Sequence, residues 1–416
     1  MQVERLDERL VRRVAPNGLR MLTEELPAVR SAAIGVWFRA GSAHEPADRM
    51  GLAHLLEHMV FKGSETRTAQ AIAHELESRG GALDAFTSRD FTCYQAHLLD
   101  ADLPIAVDVL TDLVRRPLLR EADLGLERQV VLEEIRGVQD APEDLVFELH
   151  GQALWPGHPY GRPILGSPDS LARISSGDLK AAHHAAYHAT GCIIAAAGNV
   201  RDEALVELLG DHGWLEAPPG PAPEPVNPPA PQHGLRQSTT RDTQQVHIVL
   251  GTDTIAAGDQ RRYALALIGN VLGGGMASRL FQRVREELGL AYAIYAFQHL
   301  FQQGGMCGVY VGTHPDSADL ATEAILAEYQ RLSHDGLTAD ELAAGKRQLK
   351  GQVVLGLESP MSRMHRLASS ELMRDRYRRI DEVLAEIDAV TQDQILELCR
   401  EFFAPERQTL LRLGKA

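Results

Sequence analysis

Apolar residues recur along the chain in two patterns, one with the period of a helix and one with the character of buried strands. Helical periodicity predicts helices over 51–60, 69–79, 102–115, 121–138 and 259–272. Apolar runs predict strands over 31–39 and 245–251, and extended chain over 83–98 that turns at 88–90. Asn17-Gly18 lies between two β-rich segments and predicts a hairpin. Because the helices do not alternate strictly with single strands, we expect an α+β fold with mainly antiparallel sheets.

A proline-rich segment near the middle of the chain marks a boundary. Residues 218–231 have the sequence PPGPAPEPVNPPAP, in which more than half of the positions are proline. Such a stretch stays extended and does not join a core. We therefore predict a linker over 216–234 that separates a first lobe, 1–215, from a second lobe, 235–416.

The two lobes resemble diverged copies of one unit. At one constant offset along the chain, Leu179 corresponds to Ile395 and Ile194 corresponds to Leu410. Both surrounding segments have the pattern of an amphipathic helix followed by an apolar strand. Several correspondences in the same order favour an internal duplication over chance, so we expect two homologous lobes.

Composition and charge narrow the function classes. Hydrophobic residues make up 44% and charged residues 24%, which is ordinary for a soluble globular protein. The formal net charge of −15 argues against a general nucleic-acid or anionic-membrane binder, and no apolar run is long enough to span a membrane. The N-terminal residues lack the apolar core of a signal peptide, and the four cysteines are too widely spaced for a metal or disulfide framework. We expect a cytoplasmic protein.

The segment 51–60, GLAHLLEHMV, carries the candidate chemistry. His54 and His58 are four residues apart and share one face of a helix, with Glu57 between them on the same side. The rest of the segment is apolar nearly all round, which predicts a buried helix. Three ionisable groups on a buried helix are costly unless something satisfies them, and neutral imidazoles are good zinc ligands.

Two histidines leave a zinc site incomplete, because a catalytic site has three protein ligands and an open position. Glu134 is a candidate for the third ligand, since it lies in a second apolar helix, LERQVVLEEIRGV, with acids on one side. Glu127 lies two turns earlier on the same face of that helix.

At this point the sequence resembles a known family. HLLEH, followed further along the chain by the glutamate of LEEI at position 134, resembles the inverted-motif zinc peptidases of the pitrilysin and insulinase family. The segments FKGS, LDAFTSRDFTCY and GRPILGS match as well, and GGGMASRLFQRVREELGLAY is similar to the catalytic β subunit of mitochondrial processing peptidase. The resemblance covers nearly the whole chain. It implies two α+β lobes that face each other across a central cleft.

The resemblance also implies roles for the motif residues. His54, His58 and Glu134 would bind one zinc ion per chain, and Glu57 would be the general base that activates a metal-bound water. Glu127 corresponds to an accessory glutamate near the metal, with a helix-surface acid as the alternative. The implied activity is that of a zinc-dependent endopeptidase acting on unfolded or short peptides.

The second lobe lacks the motif, so the resemblance implies that it binds substrate. Arg285 and Tyr292 match an arginine–tyrosine pair that contacts the substrate backbone near the cut bond. The stretch 83–87 matches an edge strand that pairs with the substrate, and strand pairing of this kind is largely blind to side chains.

The edge strand includes Asp84, Ala85 and Phe86, and it contains one departure from the family. The family usually has asparagine where this chain has Asp84. An amide both donates and accepts hydrogen bonds, whereas a carboxylate only accepts. The orientation of a bound peptide at this residue is therefore open.

Two acids on the next predicted helix bear on specificity. Asp144 and Glu148 are four residues apart and match acids that recognise arginine upstream of the cut in the processing peptidase. They would suit substrates with basic residues, and the alternative is a solvated acidic face.

The expected partners are peptide substrates and a second copy of the chain in a homodimer, with no nucleic acid and no membrane. Two other interpretations remain: a non-catalytic assembly subunit of the same fold, and a catalytic subunit that is active only with a different partner chain. The physiological peptide and the metal used in the cell, zinc or another divalent ion, stay open.

Overall fold

The computed structural model describes residues 1–374 and 376–415. Its contacts divide the chain into two compact units, each built from three segments. The first unit comprises Met1–Ile135, Pro163–Val226 and Gly356–Arg379. The second unit comprises Arg136–Arg162, Asn227–Leu355 and Ile380–Ala416.

Strands and helices both contribute to each unit, as expected for an α+β protein. The strands are β1 Gln2–Asp7, β2 Leu10–Val14, β3 Arg20–Glu25, β4 Ser31–Phe38, β5 Ala82–Thr87, β6 Thr92–Leu99, β7 Cys192–Gly198, β8 Arg236–Thr240, β9 Val246–Thr254, β10 Ala291–Leu300, β11 Gly305–Thr313 and β12 Thr409–Gly414. The helices are α1 Leu52–Val60, α2 Ala69–Glu77, α3 Leu103–Arg115, α4 Glu121–Asp140, α5 Pro142–Leu154, α6 Pro168–Ala172, α7 Ser176–Ala186, α8 Asp202–Asp211, α9 Arg262–Gly273, α10 Ala318–Asp335, α11 Ala339–Leu355, α12 Pro360–Arg374, α13 Ile380–Asp388 and α14 Gln392–Phe402. None of the helices in the described part of the chain has the length and apolar character that crossing a membrane requires.

The predicted elements are confirmed, with small displacements at their ends. One of these is at α9, which begins at Arg262 rather than at residue 259. The side chain of Asp259 explains it, because Oδ1 accepts a hydrogen bond from the backbone N–H of Arg261 at 2.8 Å and forms a turn before the helix. The predicted hairpin joins β2 and β3, and Gly18 has a φ of +88° in its turn.

The first unit contains a seven-stranded sheet with the order β1-β2-β3-β7-β4-β6-β5. Within it only β3 and β7 run parallel, and the other neighbours are antiparallel. Both faces of β4 are covered: Ile34 and Val36 pack in the core that includes α1 and α3, while Trp37 packs in the core that includes α12. This burial on both sides explains why β4 is an uninterrupted apolar run rather than an alternating one.

The second unit repeats this topology in a five-stranded sheet with the order β10-β11-β9-β12-β8. Here too a single pair, β12 and β8, is parallel, so the order matches β5-β6-β4-β7-β3 of the first sheet. Helix α14 begins and ends at the same offset from α7 that relates Leu179 to Ile395, and β12 follows α14 as β7 follows α7. The predicted duplication and the α+β fold class are confirmed.

Each half of the chain contributes one helix to the unit formed mainly by the other half. Helix α5 packs against β9 and β12, where Val146 joins a core with Val249 and Leu411. Helix α12 packs against β3, β4 and β7, where Met364 and Leu367 join the core around Trp37. Residues 218–234 contain no helix or strand. A division of the chain at that segment alone would assign α5 to the first unit and α12 to the second, whereas the contacts place them the other way round.

Candidate metal centre

Helix α1 is held at its N-terminus by contacts from outside the motif. It begins after Gly51, which has a φ of +89° and lies so close to Leu165 that a Cβ would be 2.6 Å from its carbonyl oxygen. The carboxylate of Glu45 accepts hydrogen bonds from the N–H groups of Gly51 at 2.9 Å and Ala53 at 2.6 Å. An acid at this end of a helix satisfies free N–H groups and interacts favourably with the helix dipole.

The segment GRPILGS explains part of this arrangement. Gly166 has a φ of +76°, and any side chain there would collide with the carbonyl of Met50. Ser170 donates a hydrogen bond from Oγ to the same carbonyl at 2.7 Å. Residues 163–170 therefore form a support for the start of α1.

The side chains of α1 meet one carboxylate from α4. The rings of His54 and His58 lie 4.6 Å apart between centroids. Glu134 Oε2 lies 3.7 Å from His54 Nε2, and Glu134 Oε1 lies 3.6 Å from His58 Nε2. Among the residues that the structure describes, no other group of three potential metal ligands comes together so closely.

The spacing of these three residues fits a divalent cation. Ligands of a tetrahedral zinc ion at about 2.0–2.1 Å from the metal lie about 3.4 Å from one another. The observed separations are slightly longer than that and too long for good hydrogen bonds. Moreover, Glu134 Oε2 is buried without a hydrogen-bond partner in the described structure, which is unusual for a carboxylate oxygen.

The orientation of His58 is set by a second glutamate. Glu127 is 5% exposed, and its Oε2 lies 3.2 Å from His58 Nδ1. Because a carboxylate only accepts, Nδ1 must carry the proton, and the lone pair lies on Nε2, which faces Glu134. The other oxygen of Glu127 lies 2.6 Å from the Nζ atom of Lys62.

The environment of His54 favours the neutral ring that metal binding requires. Burial, and to a smaller extent repulsion from His58, lowers the pKa of His54 to about 4. Its Nδ1 atom is buried and has no hydrogen-bond partner within the described ranges.

Glu57 lies on the same helix and is 8% exposed. Burial raises the pKa of its carboxyl group, and the hydrogen bond that Thr87 Oγ1 donates to Glu57 Oε2 at 2.6 Å opposes that rise. A carboxylate with a raised pKa accepts a proton more readily, which is the property needed in a general base.

Thr87 is the last residue of β5, the edge strand of the first sheet. Ala85 packs toward the core that includes α1, and Phe86 packs on the other side, 5.9 Å from the ring of Phe91. Asp84 is exposed and accepts a hydrogen bond from Gln95 Nε2 at 3.4 Å. The residues predicted to meet substrate thus lie on the edge strand that contacts Glu57.

The second unit brings together the other predicted pair. Arg285 lies in a π-helical segment, Phe281–Glu287, and its guanidinium carbon is 4.6 Å from the ring centre of Phe281 and 4.7 Å from that of Tyr292. Its Nη1 donates to the carbonyl of Tyr292 at 3.2 Å, while the Tyr292 side chain is 78% exposed. π-Helical turns are frequent at functional sites.

The two predicted specificity acids are also in the second unit. Asp144 is exposed and Glu148 is partly buried, both on α5. Burial raises the pKa of Tyr295 on β10, and the negative charge of Asp144 adds to that rise.

Glu45 and Lys62 near the cluster were not predicted as site residues, and Thr87 was predicted only as part of the edge strand 83–87, not as a partner of Glu57. Lys62 follows His58 by four residues, and this helical spacing could have indicated a contact on the same face. Thr87 and Glu45 carry no comparable local signal, because their contacts with α1 depend on how the chain folds back.

Comparisons with known proteins agree with the sequence motifs. A family described as insulinase, peptidase family M16, matches residues 20–168, and one described as peptidase M16 inactive domain matches residues 173–349. An uncharacterized zinc protease of Bacillus subtilis is 38% identical over 94% of this chain and 95% of its own length. One of Streptomyces coelicolor is 37% identical over 94% of this chain and 86% of its own length.

Solved structures share the fold. A protease from Helicobacter pylori has a TM-score of 0.92 at 22% identity, with 99% of both chains covered. A structure from Pseudomonas fluorescens, described as a peptidase M16 inactive domain, has a TM-score of 0.91 at 20% identity and covers 100% of this chain and 98% of its own. From the sequence matches, which extend over most of its length, the chain belongs to the insulinase family of peptidases, peptidase family M16.

Proposed function

We propose that this protein is a zinc-dependent endopeptidase that cleaves unfolded or short peptides. The observation that carries the proposal is the cluster of His54, His58 and Glu134. The carboxylate of Glu57 lies on the same helix as the two histidines. The relatives named zinc proteases support the general activity.

The proposed roles follow from the chemistry of the side chains. His54, His58 and Glu134 would hold zinc, and zinc in such a site supplies Lewis acidity toward water and toward the scissile carbonyl. Glu57 accepts a proton from the attacking water and transfers it to the nitrogen of the departing amine as the C–N bond breaks. Glu127 keeps the His58 ring in the tautomer whose Nε2 is free to bind metal.

Peptide binding is proposed at the open edge of β5, which pairs with β6 alone among the strands of the described residues. A peptide added as a further strand would bond through its backbone and would have to be unfolded to do so. Asp84 would accept from a peptide N–H and could not donate to a peptide carbonyl. Arg285 and Tyr292 are proposed to contact the substrate backbone, as the family resemblance implies.

We propose that Asp144 and Glu148 favour substrates with basic residues upstream of the cut. Replacing both by their amides should reduce this preference in a cleavage profile, and an unaltered profile would favour the solvated acidic face. The proposed assembly is a homodimer, which light scattering of the purified chain tests directly.

The central experiment combines zinc analysis with turnover of unstructured, fluorescence-quenched peptides. We expect about one zinc per chain and cleavage that a chelator abolishes. Glu57→Gln should retain zinc and lower kcat/KM by at least about 100-fold, the range typical of a general base. Glu77→Gln, an exposed acid on α2, is the matched control and should behave as the unmodified protein.

Three results would contradict the proposal. Cleavage that is insensitive to the chelator would exclude the metal mechanism. Full turnover by Glu57→Gln would show that Glu57 is not the general base. Zinc-loaded protein that cleaves no peptide of a broad library would favour a subunit that is inactive without another chain.

A further inference from the structure

Lys62 lies at the end of a chain of contacts that leads to the candidate metal centre. It follows the last turn of α1, four residues after His58. Its Nζ atom is 2.6 Å from Glu127 Oε1, and Glu127 Oε2 is 3.2 Å from His58 Nδ1. One carboxylate therefore connects the ammonium group to the imidazole.

Hydrogen bonds hold both the backbone N–H and the backbone carbonyl of Lys62. Its N–H donates to the carbonyl of Met59 at 3.2 Å, and its own carbonyl accepts from Arg120 Nη2 at 2.8 Å. The following loop is also anchored, because Thr66 Oγ1 donates to the buried carboxylate of Asp112 at 2.6 Å. The ammonium group thus extends from a well-defined point.

The buried carboxylate of Glu127 needs the positive charge of Lys62. A carboxylate that is almost fully buried is costly unless a positive group and hydrogen bonds compensate it. In the described structure Lys62 supplies the positive group and His58 supplies a ring N–H. Without the ammonium group, the carboxylate would be drawn toward water or another donor, and its bond to His58 would weaken.

We propose that Lys62 is a positioning residue for the metal centre and acts through Glu127 on His58. By holding Glu127 against Nδ1, it fixes the tautomer and the ring orientation in which Nε2 faces Glu134. His54 has no equivalent support, since its Nδ1 lacks a partner in the described part of the chain. The inference rests on the proposed function, in which these residues bind zinc.

The test compares Lys62→Met, which removes the charge at similar length, with Lys62→Arg, which retains a cation. Lys180→Met, an exposed lysine on α7, is the matched control for charge removal. Zinc dissociation constants are measured by competition with a chromophoric chelator, and thermal unfolding of the metal-free proteins checks the fold. We expect Lys62→Met to raise the zinc dissociation constant by roughly tenfold or more, the effect of losing an outer partner of a metal-binding histidine.

Two further measurements distinguish positioning from a general loss of structure. Lys62→Arg and Lys180→Met should stay near the original affinity, and the visible absorption bands of the cobalt-loaded protein should change in Lys62→Met alone. In a background of Glu127→Gln, Lys62→Met should have no additional effect, because residues acting in one chain of contacts are not additive.

The outcomes separate the inference from the proposed function. If the unmodified protein binds no zinc, the proposed function fails and the inference with it. If it binds zinc but Lys62→Met leaves the affinity and the cobalt spectrum unchanged, only the inference is overturned. Effects of Lys62→Met and Glu127→Gln that simply add would likewise overturn it.

Discussion

Replacing Glu371 by glutamine should destabilise the first unit by loosening α12 from its sheet. The side chain of Glu371 is fully buried, and its two oxygens accept hydrogen bonds from Arg12 on β2 at 2.9 and 2.7 Å. Arg20 Nη1 on β3 lies 3.4 Å from the same carboxylate. The backbone carbonyl of Glu371 also accepts from Arg39 at 2.7 Å, a contact that the substitution leaves in place.

The magnitude follows from what the substitution leaves behind. Glutamine keeps the shape but directs an NH2 group toward a guanidinium group, so one short bond is lost. Arg12 also loses its buried counter-ion and keeps the exposed Glu4, 3.7 Å from its Nη1 atom. Breaking a buried ion pair costs about 3–5 kcal/mol. The arginine side chains are 23% and 25% exposed, so water can compensate part of the loss. We therefore expect the lower end, about 3 kcal/mol, or roughly a 150-fold change in the unfolding equilibrium.

The assay is urea unfolding followed by tryptophan fluorescence, together with amide hydrogen exchange of α12. Trp37 reports on this region, because its ring lies 5.8 Å from that of His365 on α12. The midpoint should fall at an unchanged slope, and exchange should accelerate in α12 and the adjoining strands. Replacing Arg12 and Glu371 together, Arg12→Leu with Glu371→Met, should restore much of the stability, because the charges of both residues are removed. Arg20 then loses a contact at 3.4 Å, and its side chain is 25% exposed, so water can compensate that loss.

A loss below about 1 kcal/mol, the level of an exposed ion pair, would refute this reasoning. It would mean that water or another arrangement of the arginines replaces the carboxylate. Faster exchange confined to segments other than α12 would refute the assignment of that helix to the first unit.

Three further substitutions test the candidate site. Glu134→Gln should raise the zinc dissociation constant at least about tenfold, because an amide is neutral and a weaker metal ligand than a carboxylate. Stoichiometric zinc at unchanged affinity would show that Glu134 is not a ligand. Thr87→Val should lower kcat by roughly tenfold with little change in KM, since it removes a hydrogen bond to the charged Glu57 carboxylate. Thr87→Ser is its matched control, and equal kcat values for all three proteins would exclude a role for the hydroxyl group. Asp84→Asn supplies an amide donor and should lower KM for unstructured peptides severalfold if residue 84 meets a substrate carbonyl. An unchanged KM in steady-state assays would argue that this side chain does not reach the peptide.

Local spacing was sufficient to predict much of this protein. The interval between His54 and His58 and the apolar residues around them predicted a buried helix with two imidazoles on one face, and α1 is that helix. The recurrence of an amphipathic helix and an apolar strand at a constant offset predicted the duplication, and α7 with β7 and α14 with β12 confirm it. These features were accessible because neighbours in the sequence determine helical and strand periodicity.

The resemblance to a family supplied what spacing did not. The pattern of its helix made Glu134 a candidate for the third ligand, and the resemblance then singled it out from the other acids of the chain. The structure brings this carboxylate within 3.7 Å of both imidazoles.

Only the tertiary structure placed the outer contacts and the exchanged helices. Thr87 meets Glu57, Glu45 meets the start of α1, and Lys62 meets Glu127, each through chain that folds back on itself. Helices α5 and α12 both carry apolar faces, but nothing in those faces indicates which sheet they cover. Burial of apolar surface is non-directional, so a sequence determines which side chains share a face, whereas the packing of the whole chain decides what that face meets.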